Sequence, residues 1–441
     1  MLAAFGVAPA AHAANPLQTA VYIHPENVPT NDAAANALFK RVHQTGATAV
    51  RLSLSWREIA PATRPSVFRP KDPGDTAYNW ATADRVIKLA VANGLEPLVG
   101  VLSAPAWAGS KKVNPVALRD FASAITSRYT GTYQGLPRVR YWLAWNEPNL
   151  SLYLAPQNSG KKLVGAERYR SMVNAFATAA HAVRPDNVVV AGLVAPFTFG
   201  KDPGPLKFLR ALLCMSSDAN PRPTCNARTQ FDILSVHPYT SGGPRHRALS
   251  SNDASLGDLP KVRRLLDAAV RAHHVVSTRK VQLWVTEFSW DSNPPDSKGV
   301  PLTLQAQWVS EALYRAWRAG VTMFTWFLLR DERRPSPYQS GLYFANGKAK
   351  PALRAFNFPF VALRRKHGVY VWGRAPGGKA TTVSIEMGRR RLATFRTGPN
   401  GVFSRVLAVK PSKSVRARAG SAHSILFPLQ PPRDLFVRPF G

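Results

Sequence analysis

Eight apolar, strand-like runs alternate with amphipathic stretches over most of the chain. Two of those runs end in a glutamate, and beyond the eighth the texture changes to short alternating segments broken by Gly and Pro. Together these observations predict an α/β fold, a (β/α)8 TIM barrel followed by a small C-terminal all-β, sandwich-like domain.

The eight runs are 19–24, 47–54, 95–102, 139–145, 188–193, 231–237, 281–286 and 321–328. Helical periodicity fills 34–45, 82–93, 115–129, 165–183, 259–272 and 304–319. Gly46, Gly94 and Gly320 stand where a helix gives way to the next strand, the position at which a left-handed residue closes a helix. From about Gly368 the runs shorten to 369–372, 381–386, 391–395, 402–406 and 414–417, the pattern of a small β-sandwich. The expected organisation is a leader over 1–14, a barrel over 15–362 and a β domain over 368–441. No ligand-binding motif marks that last domain, which suits a packing role better than carbohydrate binding.

Length and composition agree, since 441 residues with 45% hydrophobic content can bury one large core and leave a smaller second unit. Collagen-like and disordered classes are excluded. No apolar run approaches the roughly 18–20 residues that cross a bilayer. The leader is alanine-rich and ends in Ala11-His12-Ala13-Ala14, a small-x-small cleavage pattern, but lacks a basic start. It reads as the remnant of a signal peptide, and the expected location is extracellular or cell-wall associated; a disordered leader is the alternative. Cys214 and Cys225 would close a short loop as a disulfide in an oxidising compartment, and their spacing does not suit a zinc site.

The chemistry sits in two stretches, Trp142-Leu143-Ala144-Trp145-Asn146-Glu147-Pro148-Asn149 and Leu283-Trp284-Val285-Thr286-Glu287-Phe288-Ser289-Trp290. Each is a buried-strand pattern that delivers one carboxylate at its C-terminal end, where barrel enzymes place catalytic groups. A single such glutamate is more often a solvated residue opening a loop. Two of them, separated by three further strand–helix units and flanked by tryptophans, point to a glycosidase. Trp56, Trp107, Trp145, Trp290 and Trp326 fall at or just past strand ends, where they either plug the barrel or present faces to sugar C–H groups. His24, just after the first strand, is open to the same two readings.

On these residues the chain resembles glycoside hydrolase clan A, the retaining (β/α)8 glycosidases, and looks closest to family 39 and cellulase-like family 5. The likeness runs from about 19 to 360. It implies Glu147, after Asn146 at strand four, as acid/base and Glu287, at strand seven, as nucleophile. By the same resemblance Asn146 holds the sugar 2-hydroxyl, and Arg51 in Val50-Arg51-Leu52 supports the nucleophile. For His237-Pro238-Tyr239 the resemblance implies that Tyr239 donates to the nucleophile and that His237 supports the acid/base or the sugar; by the same likeness Trp326 forms the subsite floor. With Trp56, Trp107 and Trp290 these are the candidate substrate-binding residues. Neither a metal nor an organic cofactor is implied, and the expected reaction is hydrolysis of an O-glycosidic bond with retention.

Charge is the feature this reading uses least. There are 58 Lys and Arg against 25 Asp and Glu, a formal +33, and residues 361–441 hold 16 basic and 2 acidic side chains, a net +14. Such a field attracts polyanions. An acidic or wall-linked glycan is the expected partner, and a specific nucleic acid is disfavoured because no nucleic-acid-binding signature appears. A plain solvated surface accounts for the charge equally well. Two further readings stay open, a catalytically silent glycan-binding barrel and a cationic surface adhesin.

Overall fold

The computed structural model describes residues 16–333, 336, 338–410 and 412–437; the leader over 1–14 lies outside them. Eight parallel strands close into a barrel in chain order: β1 (Gln18–Ile23), β2 (Ala49–Ser55), β3 (Glu96–Leu102), β4 (Tyr141–Ala144), β5 (Val188–Val194), β6 (Ile233–Val236), β7 (Gln282–Val285) and β8 (Val321–Trp326). Each of the eight expected runs overlaps one of them, within a residue or two at the ends. The outer layer comprises α1 (Asp32–Gln44), α2 (Ala81–Ala92), α3 (Pro115–Arg128), α4 (Val164–Val183), α5 (Pro205–Leu213), α6 (Leu259–Arg271), α7 (Leu302–Arg318) and α8 (Pro351–Asn357). Helix α5 has no counterpart in the sequence reading. Its nine residues are too short for periodicity to stand out.

Local chemistry sets the helix ends. Asn31 and Asn114 side chains accept hydrogen bonds from the first-turn N–H groups of α1 and α3, at 2.9 Å each. Gly46 follows α1 with φ +82°, and a Cβ there would lie 2.4 Å from Asn357 Oδ1, so no other residue fits without a shift.

Alternate residues of each barrel strand face the lumen. Ala20, Ala49, Leu98, Leu143, Ile233, Trp284 and Met323 belong to one buried cluster apart from the main core, and the two alanines leave room for the indole in the same layer. Two residues further along, the same strand faces carry Tyr22, Arg51, Ser235, Thr286 and Thr325, a polar layer directly beneath the barrel mouth.

The C-terminal module is two antiparallel sheets. One is ordered β9 (Phe360–Arg365), β10 (Gly368–Arg374), β13 (Val402–Leu407). The other is ordered β12 (Arg390–Arg396), β11 (Thr382–Met387), β14 (Arg416–Ala419), β15 (Ala422–His423). Its first strand begins at Phe360, within the stretch assigned by sequence to the barrel, because that run pairs with β10. The module is welded to the barrel. Trp372 packs on Tyr314 and Trp317 of α7, and Trp308 Nε1 of the same helix donates to Arg433 O at 3.0 Å. Arg374 is buried and donates to Thr19 Oγ1 at 3.1 Å, and burial pushes its guanidinium down to about 10. Cys214, just past α5, is disulfide-bonded to Cys225. Among the described residues no helix is long and apolar enough to cross a membrane.

Candidate active site

The polar lumen layer and the loops above it form the site. Arg51, 1% exposed, is the inward residue one step above Ala49 on β2. Its Nη1 donates to Glu287 Oε2 at 2.7 Å and to Thr286 O at 2.9 Å, and its Nη2 donates to Asn146 Oδ1 at 2.8 Å. A guanidinium only donates, so it fixes the Asn146 amide with oxygen inward and the NH2 free for the cleft. Tyr239 OH donates to the other oxygen of Glu287 at 3.0 Å. Burial beside two carboxylates raises the Tyr239 hydroxyl well above its usual range, so it stays a donor.

His237 is fully buried. Its Nδ1 lies 3.0 Å from Glu147 Oε1, while Nε2 lies 3.1 Å from Thr286 Oγ1 and 3.5 Å from Arg51 Nη1. Because Nε2 faces the guanidinium, the ring proton belongs on Nδ1, where it donates to Glu147. Burial pushes His237 down to about 3, so the ring is neutral, and Thr286 is in turn hydrogen-bonded to Ser235. Burial raises Glu147 to about 7, partly opposed by Arg51. The backbone around it is contorted, with Trp145 at φ +81° and Glu147 at φ +39°. Left-handed non-glycine residues of this kind persist where surrounding contacts over-determine them, here Glu147 N–H on Leu193 O at 3.0 Å.

Glu147, His237 and Glu287 each offer a donor atom within 4.8 Å of the others. Both oxygens of Glu287 already accept hydrogen bonds, Oε2 from Arg51 at 2.7 Å and Oε1 from Tyr239 at 3.0 Å. The set therefore suits proton and carboxylate chemistry better than cation binding.

A cleft of about 890 Å³ opens above these groups, and Asn146, Glu147, Tyr239 and Glu287 line it, with Arg51 and His237 directly beneath. The tryptophans do not line it. Trp326 is fully buried with Nε1 on Ser340 O at 2.8 Å, Trp56 stacks on Phe121 at 5.0 Å, and Trp290 donates to Gly242 O at 3.0 Å. Trp107 is half-buried behind the wall, its Nε1 on Pro61 O at 2.8 Å. Trp145 is buried as well, donating to Tyr153 O at 3.1 Å. Strand parity explains the central error: Met323 and Thr325 face inward on β8, so Trp326 faces out and Phe327 takes the inward place. Phe327 lines the cleft, stacked on Tyr22 at 5.1 Å and edge-on to Tyr338 at 5.2 Å. Tyr153, Phe199 and Tyr338 complete the aromatic wall from loops, and His24 lines it too. The parity of β8 could have located Phe327; nothing local marks the loop residues.

An eight-stranded parallel barrel that gathers two glutamates at the C-terminal ends of strands four and seven, beside an aromatic cleft, is that of a glycosidase of clan A. Residues 14–328 match the sequence model described as cellulase (glycosyl hydrolase family 5), and the chain belongs to that family. Among proteins with curated descriptions, none matches its sequence. Similar solved structures include a family 39 glycoside hydrolase from the gut symbiont Bacteroides cellulosilyticus WH2, with 16% identity, TM-score 0.56, and 90% of this chain and 80% of that one covered. A family 39 enzyme from Xanthomonas axonopodis pv. citri follows, with 15% identity, TM-score 0.51 and coverage of 90% and 92%. A family 39 β-xylosidase from Caulobacter crescentus shares 16% identity with TM-score 0.52 and coverage of 91% and 96%. At these identities the likeness is one of fold.

Proposed function

We propose that the protein is a secreted retaining glycoside hydrolase that cuts O-glycosidic bonds of an oligo- or polysaccharide by double displacement, with Glu147 as acid and then base and Glu287 as nucleophile. The observation that carries this reading is a pair of carboxylates with oxygens within 4.8 Å of each other and set in opposite surroundings. Glu287 accepts from Arg51 and Tyr239, whereas Glu147 is raised to about 7 and so holds a proton near neutral pH. Retaining enzymes separate the two carboxyls by roughly 5–5.5 Å, and inverting ones by roughly 6.5–9.5 Å to admit a water.

In the first step a Glu287 oxygen bonds to the anomeric carbon as the glycosidic C–O bond breaks, and the Glu147 proton passes to the departing oxygen. Formation of the Glu287 ester removes the negative charge beside Glu147, which lowers the proton affinity of Glu147. Glu147, now a carboxylate, then takes a proton from water. The water oxygen displaces Glu287 from the same carbon, restoring both groups and the original configuration. The free NH2 of Asn146 is placed to hold a sugar hydroxyl. The paired Cys214 and Cys225 suit an oxidising compartment, which is the support for secretion.

The test is release of reducing ends from a panel of neutral and acidic polysaccharides by the intact protein, Glu147→Ala and Glu287→Ala. The reading expects both variants to lose cleavage of the polysaccharides, and azide to accelerate turnover of a dinitrophenyl glycoside by Glu147→Ala, giving a glycosyl azide of retained configuration. Cleavage that survives Glu287→Ala overturns the assignment.

A further inference from the structure

A charged knot lies buried beside one wall of the cleft, apart from the groups that do the chemistry. Lys350, the residue before α8, has a fully buried side chain whose Nζ donates to Asp331 Oδ1 at 2.6 Å, Ser292 Oγ at 2.8 Å and Gln339 O at 2.9 Å. An ammonium has three N–H donors, and all three are engaged. Asp331 Oδ1 also accepts from Gly341 N–H at 2.9 Å, and Ser292 Oγ donates to Pro294 O at 2.7 Å. A buried lysine–carboxylate pair adds little net stability over apolar side chains of similar volume. What it supplies that apolar packing does not is three directed bonds, and these join the loop after β7, the loop after β8 and the start of α8.

Gln339 is the centre of the knot. Besides accepting from Lys350, its carbonyl accepts from Ser292 N–H at 3.2 Å, and its own N–H donates to Asp291 Oδ1 at 2.9 Å. Its Nε2 donates to Ser336 O at 3.0 Å and to Glu332 O at 3.2 Å. The residue after it, Ser340, is fixed to the barrel rim, its hydroxyl donating to Phe327 O and its carbonyl accepting from Trp326 Nε1 at 2.8 Å. The residue before it is Tyr338, whose ring is 36% exposed, lines the cleft and stands edge-on to Phe327 at 5.2 Å. An exposed ring on a loop must be ordered when a sugar packs on it, which costs affinity. Clamping the neighbouring backbone beforehand removes part of that cost.

We propose that Lys350 and Asp291 are positioning residues for substrate binding, acting through Gln339 to hold the Tyr338 ring where it packs on the C–H face of a bound sugar. The inference rests on the glycosidase reading above and deepens it, since neither residue lines the cleft and both set affinity through one ring. Lys350 holds the Gln339 carbonyl and Asp291 the Gln339 N–H, so loss of either loosens the same residue. A wall contact is made alike in the bound substrate and in the transition state. Its loss therefore falls on binding and KM and spares kcat.

The experiment is a double-mutant cycle on the full chain. Binding to xylan, hydroxyethylcellulose, galactomannan and polygalacturonate is measured by affinity electrophoresis, with KM and kcat on each polymer that is cleaved. The proteins compared are the parent, Lys350→Met, Asp291→Ala, Tyr338→Ala and each of the first two substitutions combined with Tyr338→Ala. Alone, Lys350→Met and Asp291→Ala should each weaken binding of a polymer held by the parent by about fivefold or more, raise KM in step and leave kcat within about twofold. With Tyr338→Ala already in place, the same substitutions should weaken binding by less than about twofold. Cys214→Ser/Cys225→Ser opens a disulfide that does not line the cleft and should leave binding unchanged, which separates the effect from lowered stability. Asp291→Ala keeps the Lys350–Asp331 pair and decides the matter if Lys350→Met does not fold. Losses undiminished in the Tyr338→Ala background, unaltered binding in Asp291→Ala, a fall in kcat with binding unchanged, or a parent that binds none of the four polymers would overturn the proposal. Binding without cleavage, lost as described, would count against the catalytic reading and leave this one standing.

Discussion

Replacing Glu147 by Gln removes the acid and tests both its role and its surroundings. The Glu147 side chain is 13% exposed, and burial raises it from 4.5 to about 7. Between those values the unfolded chain has lost this proton while the folded protein keeps it, so stability falls as pH rises through the window and levels off above about 7. At 1.36 kcal/mol per pH unit the loss is about 3 kcal/mol, and Gln, which does not ionise, escapes it. Denaturant unfolding of both proteins at pH 4 and pH 8 should show Glu147→Gln gaining about 3 kcal/mol on the parent between the two. The catalytic counterpart is a basic limb in the parent, with activity falling above pH 7 as Glu147 deprotonates. For a substrate with a poor leaving group, Glu147→Gln should lower kcat/KM by about 10²–10⁴. For a dinitrophenyl glycoside, which leaves unaided, glycosylation should be largely spared. A basic limb that persists in Glu147→Gln, or a stability difference that does not move with pH, would refute the reasoning.

Four further outcomes are expected. Tyr338→Ala, which strips an exposed ring from the cleft wall, should raise KM by about tenfold with little change in kcat. The fully buried Trp326→Ala should instead cost about 3–5 kcal/mol of stability, measured by denaturant unfolding. Lys350 and Asp331, both fully buried and 2.6 Å apart, tie the loop after β8 to Ser292 in the loop after β7; Lys350→Met leaves a buried carboxylate unpaired and should lower stability by about 3–5 kcal/mol, partly recovered in Lys350→Met/Asp331→Leu. Cys214→Ser/Cys225→Ser opens a loop of sequence separation 11, and unfolding midpoints should report a loss of about 3 kcal/mol.

Much of the fold was legible because strand and helix are local properties. Apolar runs, their periods and the glycines that close the helices lie within short windows, so all eight strands and both glutamates could be placed. Arg51, Asn146, His237 and Tyr239 were legible through their motifs. What failed was distance: Trp326 lies at the end of a correctly placed strand but on its outward face, and a one-residue difference in parity decides between core and cleft. Phe327 gained the cleft by the same parity.

The sequence by itself determined a (β/α)8 barrel with a carboxylate at the ends of strands four and seven and a basic β module behind it. Only the tertiary structure decided that Arg51 bridges Glu287 and Asn146 and that burial raises Glu147 to about 7. It also decided that Tyr153, Phe199 and Tyr338 reach the cleft from separate loops. These depend on barrel closure and on register between strands far apart in the chain, which bring together groups whose burial and mutual charge exist only once they meet.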